Sequence, residues 1–204
     1  MSHPSALPLR IDGTRQGLPL ERVLAVGTSG SGKTTFARRL AAELDQPHVE
    51  LDFLYWGPNW QARPGAEFRA LVSEALDGSR WIVDGNYGVI RDLVWPRATL
   101  VVWLNYGVGT IFARLLPRTL RRALAREELW HGNREGLRRS FFSRESILVW
   151  AASTFRRRRL AFSKLRQGGE FPSLVWVEFR APRQAERFLR DLAADRVRYG
   201  LEAR

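Results

Sequence analysis

Residues Gly27 to Thr34 read GTSGSGKT, the G-x-x-x-x-G-K-[ST] spacing of a loop that cradles phosphate. Gly27, Gly30 and Gly32 let the backbone approach phosphate oxygens and point N–H groups at them. Thr28, Ser29 and Ser31 fill the positions between, and Thr35 follows in the first helical turn. Lys33 is the cation for the β- and γ-phosphates, and the Thr34 hydroxyl is a ligand for Mg²⁺. The flanks agree with this chemistry. Arg22 to Val26 (RVLAV) is a short apolar run suited to a buried parallel strand, and Phe36, Leu40 and Leu44 recur at i, i+4, i+8 as one face of a helix. A strand, a glycine loop and a helix N-terminus place positive dipole where a nucleoside triphosphate carries negative charge. Of 33 basic residues only Lys33 and Lys164 are lysines. An ammonium fits between phosphates as a point charge where a planar guanidinium does not.

Other residues bear on the same chemistry. Asp84 ends the apolar run Trp81–Asp84 and precedes Gly85-Asn86, the setting of a strand-end carboxylate that holds Mg²⁺ through water; the alternative is an ordinary turn Asp. Asp52 closes a second expected strand, Pro47 to Leu51. Toward a hydroxyl acceptor it serves as a base, and toward an anionic phosphate acceptor it only positions substrate or metal. Trp56 and Trp60, in the aromatic segment 53–63, either stack on a flat substrate or belong to the core. Arg114, Arg118, Arg121 and Arg122 fall within an arc of about 100° on one helix. Four like charges on one stripe favour anions coming to them. The competing reading is a solvated basic face. Pro117 in the same helix is expected to kink it as a hinge. The run Arg156–Arg159 reads either as a polyanion surface or, more commonly, as a solvated helix face.

These residues need a scaffold that brings strand ends together. The chain has 204 residues and no cysteine, which excludes disulfides and thiolate sites, and its three scattered histidines lack the ligand spacing of a zinc site. Net charge is +12, from 33 basic and 21 acidic residues. That balance suits phosphate chemistry, with a nucleic-acid partner as the less favoured alternative. No stretch has the apolar length of a membrane span, and the first 20 residues lack a signal-peptide core. A cytoplasmic protein without a membrane partner is expected, monomeric or a small homo-oligomer. Residues 1–20 are expected as a flexible lead-in and 21–204 as a single domain. Strands are expected at 22–26, 47–51, 81–84, 99–104 and 174–177, the fourth and most apolar being central. Helices are expected at about 33–45, 64–76, 108–126, 143–164 and 182–194. The alternation predicts an α/β three-layer fold with a parallel sheet.

With GTSGSGKT (27–34), LDFLYWGPNW (51–60), WIVDGNY (81–87) and ELWHGNRE (128–135) assembled, the chain resembles P-loop proteins of the nucleoside-monophosphate-kinase type. It is similar to adenylate and shikimate kinases, and most of all to the small bacterial adenylate-kinase-like proteins called topology-modulation proteins. The resemblance spans roughly residues 22 to 194. It implies five strands in the order 2-3-1-4-5, ATP and Mg²⁺ as cofactors, and a substrate-binding segment after strand 2. It also implies a short lid at about 126–142, whose Arg134 and Arg138, with Arg139, match the phosphate-closing arginines by position. The activity implied is transfer of the γ-phosphoryl of ATP to a nucleoside monophosphate or similar small acceptor. Lys33, Asp52, Arg118 and Arg122 would join the lid arginines in catalysis. The acceptor would lie among Asp52, Trp56, Trp60, Gly85, Asn86 and Arg91. Adenylate kinases follow the Asp-Gly of strand 3 with an aromatic residue, Pro and Arg. Here Asn86-Tyr87 follows and the next arginine is Arg91, which leaves the acceptor open between a phosphate and a hydroxyl compound.

Overall fold

The computed structural model describes residues 18–125, 127–133 and 147–198. Arg134, Arg138, Arg139 and most of the expected lid lie outside the described residues, as does the lead-in up to residue 17. Five parallel strands form one sheet: β1 (Arg22–Gly27), β2 (His48–Glu50), β3 (Trp81–Asp84), β4 (Leu100–Leu104) and β5 (Val175–Phe179), in the order β2-β3-β1-β4-β5. The order and layers match expectation. The most apolar strand, β4, is interior and buried throughout but is not central; β1 takes the middle.

Both faces of the sheet are covered, which is why its strands read as nearly continuous apolar runs. On one face Val23, Ala25, Ile82 and Val102 pack on Phe36 and Leu40 of α1 (Lys33–Leu44) and on Phe188 and Leu189 of the last helix (Pro182–Arg198). On the other, Leu24, Val26, Val83 and Val101 meet Phe68 and Val72 from the helix Gly65–Ala75, Val94 from the short helix Arg91–Val94, and Phe162 from the helix Ile147–Gln167. A five-residue helix, Leu51–Tyr55, follows β2, and a long helix, Val108–Leu124, follows β4. In chain order the helices after α1 are α2 (Leu51–Tyr55), α3 (Gly65–Ala75), α4 (Arg91–Val94), α5 (Val108–Leu124), α6 (Ile147–Gln167) and α7 (Pro182–Arg198).

Three expectations change. First, β2 ends at Glu50, so Asp52 belongs to α2 instead of a strand end. Leu51 is buried there against Gly85, whose φ of +116° and 3.0 Å clearance to the Leu51 Cβ leave no space for a side chain. Second, α5 runs through Pro117 as one helix, so the expected hinge does not interrupt it. Third, the end of the lead-in is docked. Leu18 and Leu20 pack on the first core, the Thr99 hydroxyl donates to the Pro19 carbonyl at 2.9 Å, and the Gln46 amide donates to the Leu20 carbonyl at 3.0 Å.

Phe68 links the core to the cleft, since its ring lies 5.2 Å from both Tyr55 and Tyr87. Phe68→Ala empties a fully buried site and is expected to lower stability by about 3–5 kcal/mol. Urea unfolding of mutant and wild type measures it; a loss under about 1 kcal/mol would mean the second core does not depend on this ring.

Candidate active site

The glycine loop turns from β1 into α1 with Gly32 as the N-cap, at φ 87° and ψ 26°. A Cβ on Gly32 would lie 2.9 Å from an Arg114 guanidinium nitrogen, so loop and α5 are in close approach. The first bond of α1 runs from the Phe36 N–H to the Gly32 carbonyl at 2.9 Å. Helix geometry therefore leaves the Lys33, Thr34 and Thr35 amides without intrahelical partners, facing the loop. Lys33 curls back and donates to the Thr28 carbonyl at 3.3 Å. Burial draws its pKa down, opposed by the charges of Asp52 and Asp84 and reinforced by those of Arg158 and Arg118. Lys33, Asp52, Asp84 and Arg118, all expected at the site, thus share one electrostatic environment.

Sheet register explains the acidic side. Glu50 and Asp84 are register partners at the ends of β2 and β3, and Asp84 is the partner of Ala25 in β1. Ala25 faces α1, so all three side chains share the α1 face. Asp84 is 3% exposed, and its Oδ2 has no hydrogen-bond partner; His48 Nε2, likewise without one, lies 3.6 Å away. The Glu50 pKa is raised, first by burial and then by Asp84, while a hydrogen bond from Trp130 opposes the shift. An orphaned, buried Asp84 oxygen near Lys33 and the Thr34 turn fits a divalent cation. No three His, Cys, Asp or Glu residues among those described form a metal site by themselves. That suits Mg²⁺, which takes one or two protein ligands and completes its shell with phosphates and water.

Asp52 sits in the first turn of α2 and accepts a hydrogen bond from the Tyr87 hydroxyl at 2.5 Å. Tyr87 is wedged beside Tyr55, at 4.5 Å between rings, and Phe68. Burial, with the Asp52 charge beside it, raises the Tyr87 pKa far above the usual phenol value, so this hydroxyl stays protonated and donating. Arg158 completes the group. Burial lowers its pKa against the raising effect of Asp52 and Tyr87. Gly85, Asn86, Tyr87 and Arg91 pack around Leu51 so closely that no water-sized space remains between them. The Asn86 Oδ1 and Arg91 Nε are buried there without hydrogen-bond partners, and the Arg91 guanidinium lies 6.0 Å from the Trp95 ring.

The arginine stripe of α5 divides. Arg114 lies against the glycine loop, Arg118 is in the field of Lys33, and Arg122 approaches Glu127 at 3.7 Å. Arg121 points to solvent and reaches Glu127 only at 3.5 Å. On the same helix Leu116 is exposed, while Ile111 and Leu115 are buried. Sequence reasoning did not identify Glu50, Tyr87, Trp130 or Arg158 as site residues. For Arg158 a signal existed. It stands four residues after Thr154 and four before Phe162, both buried, so helical spacing turns it inward while Arg156, Arg157 and Arg159 remain exposed.

Trp56 and Trp60 form a wall with Trp130, with ring separations of 5.8 and 6.0 Å. Asn133 ties that wall together. Its Oδ1 accepts from the Trp60 N–H at 2.8 Å, and its Nδ2 donates to the Gly57 carbonyl at 2.9 Å. Asn59, Trp60 and His131 all have φ near +56°, a conformation costing on the order of 1–3 kcal/mol for such residues and held only by surrounding bonds. Asn133→Ala removes both tethers. The Trp60 amide should then exchange with solvent at least about tenfold faster, from a lost bond worth roughly 1–3 kcal/mol. Hydrogen exchange read by mass spectrometry checks this, and unchanged protection at Trp60 would deny the clamp its role.

No protein-family model matches the chain, and no curated protein matches it. Solved structures similar to it include a gluconokinase from Sinorhizobium meliloti (18% identity, 90% of this chain and 98% of that chain, TM-score 0.47). A shikimate kinase from Bacteroides thetaiotaomicron (17% identity, 85% and 96%, TM-score 0.48) and one from Acinetobacter baumannii in complex with shikimate (16% identity, 90% and 94%, TM-score 0.49) are also similar. At these identities and scores no residue role passes from those proteins to this chain.

Proposed function

We propose that this protein is an ATP-dependent small-molecule kinase. The observation that carries the reading is the convergence of Lys33 with Asp84, Asp52, Arg118 and Arg158 beside the glycine loop. In the reading, Gly27 to Thr35 hold the triphosphate through backbone amides, and Lys33 exchanges its bond to the Thr28 carbonyl for the β- and γ-phosphates. Thr34 and Asp84 hold Mg²⁺, which when bound draws charge from the phosphates. A shallow open depression lined by Gly32, Thr35, Arg39, Arg114, Tyr106 and Pro182 adjoins the loop, and in the reading the nucleoside end lies over it. The arginines Arg118, Arg122 and Arg158 neutralise charge that develops on the transferring group. Catalysis is positioning and electrostatics, without a covalent intermediate.

For the acceptor, the geometry favours a hydroxyl. Asp52 has one oxygen committed to Tyr87 and the other for an incoming O–H, whose proton it accepts as the oxygen attacks the γ-phosphorus and the β–γ bridging oxygen leaves with ADP. Glu50, Asp52 and Asp84 together make the acceptor side acidic, which opposes a second phosphate. The adenylate-kinase-like reading, with a nucleoside monophosphate as acceptor, draws on Arg158 and Arg118, cations beyond what one triphosphate needs.

Two measurements test this. Lys33→Ala should weaken binding of a labelled ATP analogue or abolish ATP consumption with any acceptor; equal affinity and turnover would end the nucleotide-site reading. Asp52→Asn keeps size and hydrogen bonding but cannot take a proton. With a hydroxyl acceptor its kcat at saturating acceptor should fall by on the order of 10²–10⁴. A small loss confined to KM would favour the phosphate acceptor.

A further inference from the structure

Helix α5 carries apolar residues on two sides, one buried and one exposed. Arg114 lies against the glycine loop and Arg118 is in the field of Lys33, while Ile111 and Leu115 are buried on the adjoining side. At 100° per residue, the opposite arc of about 100° holds Leu116, Gly109, Leu120, Ala113, Leu124 and Pro117. All six are exposed and none is polar. Leu116, Leu120 and Leu124 are 48%, 44% and 65% exposed, and Leu160 on α6, which packs against α5, is 62% exposed. A contiguous exposed apolar strip of this kind marks an interaction surface.

Charge and area decide the occupant. α5 and α6 carry ten basic residues (Arg114, Arg118, Arg121, Arg122, Arg156, Arg157, Arg158, Arg159, Lys164 and Arg166) and no acidic one over 38 positions. Arg121 on α5 and Arg156, Arg157, Arg159 and Lys164 on the helix packed against it are all exposed. A second copy would bring like charge to like charge. Its contact would also be small: a 17-residue helix is about 26 Å long and presents a face of roughly 260 Å², a third of the roughly 800 Å² per partner in a stable pair. A nucleic acid would answer the arginines and leave the leucines in water. An anionic lipid surface answers both, taking leucines into the headgroup boundary and pairing the flanking cations with phosphates. No helix among the described residues is long and apolar enough to cross a membrane, so the contact is peripheral.

We propose that the α5–α6 surface docks on anionic bilayers. The proposal is independent of the kinase reading. Flotation of the full chain with phosphatidylcholine vesicles, and with vesicles also containing phosphatidylglycerol, tests it. Binding to the anionic vesicles should exceed that to neutral ones by about tenfold or more and weaken with salt. Replacing Leu116, Leu120 and Leu124 by Ser should reduce it by about tenfold or more, and so should Arg156→Gln, Arg157→Gln and Arg159→Gln combined. Leu124→Ser alone, at the most exposed position, should produce part of the loss without touching the core. Equal or absent binding to the two vesicle types overturns the proposal. So does binding indifferent to the leucines, an oligonucleotide that displaces the vesicles without sensitivity to them, or a dimer in light scattering that the triple leucine variant dissolves.

Discussion

Burying the Lys33 ammonium costs hydration, and that cost draws its pKa down against the pull of Asp52 and Asp84. The arrangement persists because the sheet leaves these groups no other place to go. Register fixes Asp84 beside Ala25 and Glu50 beside Asp84, and the turn at Gly32 starts α1 on the same face. A cation, two or three carboxylates and the open amides of a helix N-terminus are thereby packed into one edge of a dry sheet. Each group alone would be expensive there. Together they make a site short of negative charge near the amides and rich in it near β2 and β3. Phosphates fit the first half; a cation or a proton donor fits the second.

Much of that scaffold is legible in the residues. A buried parallel strand has to be apolar throughout, so β1, β3 and β4 announce themselves, and the glycine loop fixes where α1 begins. The placement of the candidate site was legible where strand ends and the loop determine it, at Lys33, Thr34 and Asp84. It was less so where a short-range turn intervenes. Asp52 reads as a strand end because Leu51 is apolar, yet Leu51 is apolar to fill the second core against Gly85 while the backbone has already turned into α2. Glu50 then holds the strand-end position that spacing gave to its neighbour. Tyr87 was hidden for a different reason. Its hydroxyl becomes part of the site through tertiary packing of its ring on Tyr55 and Phe68, which no local pattern encodes.

The arginines teach a related lesson. Counting charge along a helix does not tell which side of it faces a cleft. In α6 four consecutive arginines look equivalent, but the buried Thr154 and Phe162 turn only Arg158 inward. In α5 the four arginines share an arc, but its edge passes outside the cleft at Arg121. The same rotation that brings Arg114 against the loop and Arg118 into the field of Lys33 obliges the far side of α5 to face away from the protein. The leucines there cannot be core residues, because the core side is already occupied by Ile111 and Leu115.

The aromatic wall completes the cleft by a different route. Trp56, Trp60 and Trp130 come from two segments about 70 residues apart and stack edge to face, which supplies apolar contact but little directional preference. Direction comes from Asn133, whose two bonds fix the Trp60 amide and the Gly57 carbonyl at once. The His131 ring adds a contact to the Phe53 carbonyl at 3.0 Å and stacks on Phe53 itself. Asn59, Trp60 and His131 are all held at positive φ, and such backbone relaxes when its bonds are released. The segment that follows helix α5 is therefore latched to the segment that follows Asp52, and the bonds of the latch hold against strain that opening would release. Through Trp130, which also donates to Glu50, the latch reaches the carboxylates themselves. The aromatic wall and the charge of the candidate site are thereby one mechanical unit.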